Sequence, residues 1–290
     1  MIEYLIIAVI AAVMYAVSLW TSTREGFTSD VVLEGSDIYD SEYAKIYKAL
    51  RHSSKEVEEF IEVSLQEMLA EKTKADVNVV DLCCGVAQTA CLFKRLDVKY
   101  TGVDLSQDML AEARRQCPST YQKGDVRTAG LFSPKTFSHA MLLGFSIYEF
   151  ENPKVVLDNV YLWLQPSGTL VIHLVEPDQF DPLLDLSSPF AAFSLQKYST
   201  ERQTKSDIFF DDFKYSGEFK KKKNEDDAIY HETITRYTGT PKYRENIHHL
   251  NMPSLERMIE IVKTSGFRLK EKIDLVKVGQ EYQYLVFFEK

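Results

Sequence analysis

The chain has no surplus of basic residues: 34 Lys and Arg stand against 43 Asp and Glu, for a net charge of -9 and a pI near 5.3. Without a broad basic surface it has no electrostatic grip on a nucleic-acid backbone, so no nucleic-acid partner is expected. Cysteine is scarce as well. The four present, Cys83, Cys84, Cys91 and Cys117, show no Cys-x-x-Cys spacing. Two of them fall in a tight turn that a disulfide would distort, so the sequence reads as four reduced thiols, with no zinc or other metal site. Also missing is the Gly-x-Gly-x-x-Gly of a nicotinamide-dinucleotide turn, whose third glycine would fall on Gln88.

Charge is absent altogether from Tyr4 to Trp20, 17 residues at the lower limit for a helix spanning a bilayer, with an aromatic residue near each end. A cleaved signal would carry Lys or Arg before its apolar part, but only Met1, Ile2 and Glu3 precede this one, and the first basic residue is Arg24. The expectation is a retained anchor over residues 1–21, with a lipid bilayer as partner through residues 4–20. Arg24 would leave the remainder on the cytosolic side. Residues 22–37 read as a polar tether, and residues 38–290 have ordinary globular composition and enough length to bury a full core.

What the chain does have is a run organised around residues 77–89: an apolar strand ending in Asp81-Leu82, a turn of small residues (Cys83, Cys84, Gly85, Val86, Ala87) and the start of a helix. Asp104 ends a second strand 23 positions after Asp81, and Asp125 follows a short third. Ser106 suits an N-cap, Phe137 to Leu143 is a fourth apolar strand, Asn152-Pro153 opens a helix, and Pro166-Ser167-Gly168 turns into a strand from Thr169 to Val175. Such alternation implies an α/β fold with a parallel sheet covered by helices on both faces. Upstream, Tyr39, Tyr43, Ile46, Tyr47 and Leu50 recur at helical spacing, as core or as a flap over the turn, and Ser53 with Glu56 reads as the capping box of a longer helix.

Asp81-Leu82-Cys83-Cys84-Gly85-Val86-Ala87, Gly102-Val103-Asp104-Leu105-Ser106, Gly124-Asp125-Val126 and Leu164-Gln165-Pro166-Ser167-Gly168, in this order, resemble the successive motifs of class I S-adenosylmethionine-dependent methyltransferases. The resemblance covers about residues 38–176, and the tail also fits, with a last helix between Met252 and Phe267 and a closing strand pair at 268–278 and 281–289. It implies a doubly wound, Rossmann-like, mostly parallel seven-stranded sheet with a terminal antiparallel pair and a β-rich insertion after the fifth strand. It also implies S-adenosyl-L-methionine as cofactor. Asp81 would hold the methionyl ammonium, Cys83, Gly85 and Ala87 would line the methionine part, and Asp104 would take both ribose hydroxyls. Leu105 would lie against the adenine, Asp125 would take its amino group and Val126 the neighbouring ring nitrogen, while Leu143 and Gly144 would border the methyl group. Cys83 stands where the family usually has glycine, and Ser138 where it often has aspartate. No Asp-Pro-Pro-Tyr or Asn-Pro-Pro-Tyr follows the fourth strand, so methylation of adenine or glutamine amide nitrogens is not indicated.

The expected activity is methyl transfer to a small molecule, lipid head group or protein. A cofactor fold that has lost catalysis and serves as a tethered binding module is the alternative, kept open by Cys83. Displacement at a sulfonium methyl needs alignment and desolvation more than a fixed catalytic residue. Where a base is required, Tyr148, Glu149 and His173 are placed for it, near the carboxyl ends of strands. The adjacent His248 and His249 read as surface or substrate-wall residues. The stretch 176–243 is too long for a bare connection: alternating runs at 209–219 and 228–237, separated by Lys220 to Asp227, predict a hairpin with a charged tip, and the family resemblance implies that this insertion covers the acceptor site.

Overall fold

The computed structural model describes residues 31–50, 55–69, 73–180, 205–222, 225–239 and 242–290. The expected anchor and the Ser53 cap lie outside them. No helix of the described residues is long and apolar enough to cross a membrane.

A seven-stranded sheet forms from β2 (Asn78–Leu82), β3 (Lys99–Asp104), β4 (Thr120–Lys123), β5 (Phe137–Leu142), β6 (Leu164–Val175), β11 (Arg268–Asp274) and β12 (Gln283–Glu289). Its order is β11-β12-β6-β5-β2-β3-β4. The strands from β6 to β4 pair in parallel, and β12 runs antiparallel to both of its neighbours. This is the doubly wound arrangement in which the order reverses beside β2, so that β2 and β5 part at their carboxyl ends and leave a crevice. β2 and β5 are almost wholly buried, which is why they read as largely apolar runs without polar alternation. Ser138, on β5, fills the place of the usual aspartate by bonding across to β2: its Oγ accepts from the Asn78 N–H at 2.8 Å.

Helices α1 (Ser41–Leu50), α2 (Lys55–Leu69), α3 (Ala90–Arg95), α4 (Gln107–Gln116), α5 (Pro153–Trp163) and α6 (Leu255–Thr264) complete the layers. Their starts follow local chemistry. Oγ of Ser106 accepts from Met109 N, Oδ1 of Asn152 from Lys154 N ahead of Pro153, and Oγ of Ser254 from Arg257 N. On α5, Val156, Leu157, Val160 and Trp163 are buried against one sheet face, each contributing roughly 2 kcal/mol of apolar burial. The other face packs α2 and α3. There the structure corrects one expectation: Cys91 and Cys117 form a disulfide across 26 positions, with Cα atoms 5.6 Å apart. Only Cys83 and Cys84 are free thiols. Cys-x-x-Cys spacing reports local pairs, whereas these two meet because α3 and the end of α4 pack into one apolar cluster.

A second sheet, ordered β1-β10-β9-β8-β7, consists of β1 (Val31–Glu34), β7 (Lys205–Phe209), β8 (Phe213–Lys221), β9 (Asp227–Arg236) and β10 (Tyr243–Asn251). The hairpin read from sequence is β8 with β9. Two boundaries differ: the sheet continues through β10, past residue 243, and it recruits β1 from the stretch expected to be tether. Four residues, Val31 to Glu34, are too few to show a period in sequence, yet they suffice for an edge strand with alternating burial. Phe213, Tyr215 and Ile234 of this sheet pack on Ile38, Tyr43, Ala44 and Leu50, joining α1 to it.

Candidate active site

The turn after β2 carries three left-handed residues in alternate positions, Cys83 (φ 54), Gly85 (φ 53) and Ala87 (φ 52). For a residue with a Cβ this costs on the order of 1 kcal/mol. Cys83 and Ala87 are held there by backbone bonds, from Cys84 N to Val103 O (2.9 Å) and from Ala87 N to Cys84 O (2.7 Å). Cys83 therefore adopts the backbone conformation for which glycine is the usual choice. Gly102 is required for a different reason: a Cβ there would lie 2.8 Å from the Tyr121 ring and 2.9 Å from Cys84 Sγ.

Asp104 closes the turn from the neighbouring strand. Its Oδ2 accepts from Gly85 N and its Oδ1 from Ser106 N, both at 2.8 Å. Each oxygen keeps a lone-pair direction for a ligand hydroxyl. Burial pushes its carboxyl upward, opposed by those backbone bonds.

Asp81 sits behind the turn, 5% exposed, accepting from Tyr100 Oη (2.8 Å) and Thr89 Oγ1 (3.1 Å). Burial raises its carboxyl from 3.8 to about 6 despite these bonds. A raised carboxyl stabilises the fold below its unfolded value and loses that contribution as pH climbs through about 4 to 6. Buried His173, lowered to about 4, acts in the opposite sense over much of the same window, so a raw stability profile would mix the two. The difference between wild type and Asp81→Asn isolates Asp81: urea denaturation should find the variant about equal near pH 4 and ahead by about 2 to 3 kcal/mol above pH 7.

These elements border a cleft of about 970 Å³. Of the residues predicted from sequence, Cys83, Gly85, Asp104, Leu105, Asp125, Val126, Gly144 and Glu149 line it. Asp81, Ala87 and Leu143 are not among the lining residues. Leu105 is 43% exposed, an apolar side chain offered to the cleft. Asp125 is gripped by Arg127 through both carboxylate oxygens (2.7 to 3.1 Å), which holds its carboxyl below the usual range. Tyr148 and His173 turn into the core instead. The Tyr148 hydroxyl accepts from Val175 N at 2.9 Å, and the His173 ring packs on Phe145 with centroids 4.4 Å apart. Among the described residues no cluster of His, Cys, Asp and Glu could hold a metal ion.

Sequence reasoning left the far wall open, with Tyr39 and Tyr47 read as core or as a flap over the turn. Tyr39, Tyr47 and Met109 face the turn across the cleft, and Tyr39 Oη donates to Glu149 Oε1 at 2.5 Å. Behind Tyr39 lies a buried polar network. Glu232, wholly buried, accepts from Tyr43 Oη (2.7 Å), Tyr215 Oη (2.7 Å) and Asn246 Nδ2 (3.2 Å), with His248 Nε2 at 2.8 Å. Arg244 joins Asp40 through two 2.8 Å contacts and donates to Ile38 O at 2.6 Å. His248 is thus buried, whereas His249 is the surface residue of the pair. The available signal was Glu232 itself, a charge at an inward position of an alternating strand between Tyr230 and Ile234.

The lining fits S-adenosylmethionine. Asp104 keeps acceptor capacity toward the cleft, Leu105 offers an apolar surface, and carboxylates outnumber cations around a space that would take a positively charged sulfonium.

Comparison with known proteins agrees with this geometry. Residues 79–168 match the family model of a methyltransferase domain. No curated protein sequence matches the chain. Among solved structures, an S-adenosylmethionine-dependent methyltransferase from Clostridium acetobutylicum superposes with a TM-score of 0.62 at 16% identity, covering 86% of this chain and 97% of that one. The CcbJ methyltransferase of Streptomyces caelestis gives 0.64 at 14% identity over 86% and 96%. CalS10, an amino pentose methyltransferase from Micromonospora echinaspora solved with the cofactor bound, gives 0.56 at 16% over 86% and 96%. At these identities the likeness is one of fold. Residues 79–168 thus resemble a methyltransferase domain, and the described chain has the fold of S-adenosylmethionine-dependent methyltransferases.

Proposed function

We propose that this protein transfers the methyl group of S-adenosylmethionine to a low-molecular-weight acceptor held between the turn after β2 and the second sheet. The observation carrying this reading is the cleft itself, lined by Cys83, Gly85 and Asp104 and by Tyr39 and Glu149, which are hydrogen-bonded to each other. Asp104 would hold the ribose, Leu105 and Val126 the adenine, and the turn at Cys83 to Ala87 the methionine end, with Asp81 bracing it from behind. When bound, the cofactor supplies an electrophilic methyl on a cationic sulfur. The chain's own residues align the acceptor and keep water out. A concave cleft of this size suits a small molecule better than a protein side chain presented on a surface. CalS10 and KedS8, fold neighbours described as acting on an amino pentose and a sugar nitrogen, show such an acceptor on the same architecture. With methyl-labelled S-adenosylmethionine and a fractionated cell extract, label should appear in the low-mass fraction. Label confined to protein or to lipid would count against a small-molecule acceptor.

The reading includes attachment to a bilayer through the charge-free stretch from Tyr4 to Trp20. Arg24 favours a cytosolic domain, while a Cys91–Cys117 disulfide favours an oxidising compartment. Alkaline extraction of membranes tests the attachment, and protease accessibility in sealed vesicles decides the side.

A further inference from the structure

Given the methyl-transfer reading above, we propose that the acceptor is an amine and that Glu149 is the carboxylate that receives its nitrogen, the Tyr39 phenol occupying that seat in the acceptor's absence. Gly144 (φ 64) and Phe145 (φ 69) turn the chain sharply after β5 and bring the single 3-10 turn Ser146–Glu149 back over the cleft mouth. Glu149 reaches the cleft there, on the side bordered by Gly144 and Ser146, where the methyl group is expected. A phenol O–H already sits on this carboxylate at 2.5 Å. It belongs to Tyr39, on a segment tied to the second sheet by Arg244 on Asp40 and Ile38 O and by a ring contact to His248, and to the cofactor fold by Ser106 Oγ donating to Tyr39 O. Burial and the Glu149 charge keep that phenol protonated, a neutral donor that an ammonium or amine N–H can replace.

The remaining lining decides between acceptor chemistries. Asp37, Asp40, Asp104, Asp108 and Asp125 accompany Glu149, against Lys123 and Arg127. Asp40 is committed to Arg244, Asp125 to Arg127, and Asp104 to two backbone N–H groups. The excess of carboxylates repels a phosphorylated or carboxylated acceptor and attracts a cationic one. In the transfer itself, an acceptor bound as ammonium first gives up one proton to solvent; the free amine's lone pair then forms the N–C bond while the S–C pair returns to sulfur, so the positive charge passes from sulfur to nitrogen. A carboxylate facing that nitrogen stabilises the charge where it develops. A hydroxyl acceptor would instead have to lose a far less acidic proton and would bring no positive charge for the carboxylates to attract.

The test uses the full-length protein saturated with S-adenosylhomocysteine and titrated calorimetrically with matched pairs: glucosamine and glucose, benzylamine and benzyl alcohol, putrescine and 1,4-butanediol. Methyl transfer from labelled S-adenosylmethionine to each is measured in parallel. Saturable binding and labelling of at least one amine, absent for its hydroxyl partner, is expected. Glu149→Gln should weaken amine binding at least 30-fold while leaving S-adenosylhomocysteine affinity within twofold. Glu149→Asp should recover part of the loss, and Tyr39→Phe, with no phenol to displace, should bind amines as well as or better than wild type. Equal amine affinity in wild type and Glu149→Gln, preference for the hydroxyl partner, or no amine binding to the loaded protein would each overturn the proposal. Failure of S-adenosylhomocysteine to bind wild type would remove the methyl-transfer reading instead, which keeps the two separable.

Discussion

Replacing Asp104 with alanine is expected to lower affinity for S-adenosylmethionine and S-adenosylhomocysteine at least 100-fold while the chain still unfolds cooperatively. The carboxylate lies at the end of β3 beside the turn, and each oxygen already anchors a backbone N–H at 2.8 Å while keeping a lone pair for a ribose hydroxyl. Two hydrogen bonds to a charged acceptor are each worth about 1.5 to 3 kcal/mol, which sets the lower bound on the loss. The same substitution also removes the tie from Asp104 to Gly85, so a fall in stability of about 1 to 3 kcal/mol should accompany it. Calorimetric binding and urea denaturation on the same preparation separate the two effects. Affinity within fivefold of wild type would remove Asp104 from the ribose contact.

Glu232→Leu should be the most damaging substitution for the fold, costing about 3 to 5 kcal/mol by urea denaturation. The side chain is fully buried and takes hydrogen bonds from Tyr43, Tyr215 and Asn246, with His248 Nε2 a fourth contact at 2.8 Å. Leucine removes the acceptor that these buried groups share, whereas Tyr43→Phe removes one donor and leaves the carboxylate its contacts with Tyr215, Asn246 and His248. The Tyr43→Phe, Glu232→Leu pair should therefore cost less than the sum of the single changes, because the second substitution removes an interaction the first has already broken. Full additivity would show that Tyr43 and Glu232 do not act as one network. Since α1 is joined to the second sheet through this cluster, loosening it should also displace Tyr39 from Glu149.

Where local chemistry determined structure, the sequence was readable. Asp81, Asp104 and the Ser106 cap lie at the strand ends and helix start where period and capping rules put them. The hairpin β8–β9 followed from inward aromatics at alternate positions, Phe213, Tyr215 and Phe219. Other features depend on contacts distant in sequence and left little local trace. Tyr39 meets Glu149 across 110 positions and Tyr43 meets Glu232 across 189. The spacing of Tyr39, Tyr43 and Tyr47 admitted either core or flap; in the structure Tyr43 is core, while Tyr39 and Tyr47 line the cleft. Tyr148 and Glu149 are neighbours in sequence with opposite fates, because a single 3-10 turn sends Tyr148 onto the Val175 backbone and Glu149 to the mouth. The Cys91–Cys117 pair escaped notice because disulfide geometry is a property of packed helices and cannot be read from residue spacing. Cys83 was a departure from the family's pattern in sequence; in the structure it takes the glycine conformation, with φ 54.

The central claim is that the turn at Cys83 to Ala87, together with Asp104, binds S-adenosylmethionine. Isothermal titration of the full-length protein with S-adenosylmethionine and S-adenosylhomocysteine tests it most directly. The account predicts saturable, one-to-one binding of both ligands in the micromolar range. A cooperatively folded protein that binds neither would contradict it and leave a methyltransferase fold serving as a binding module.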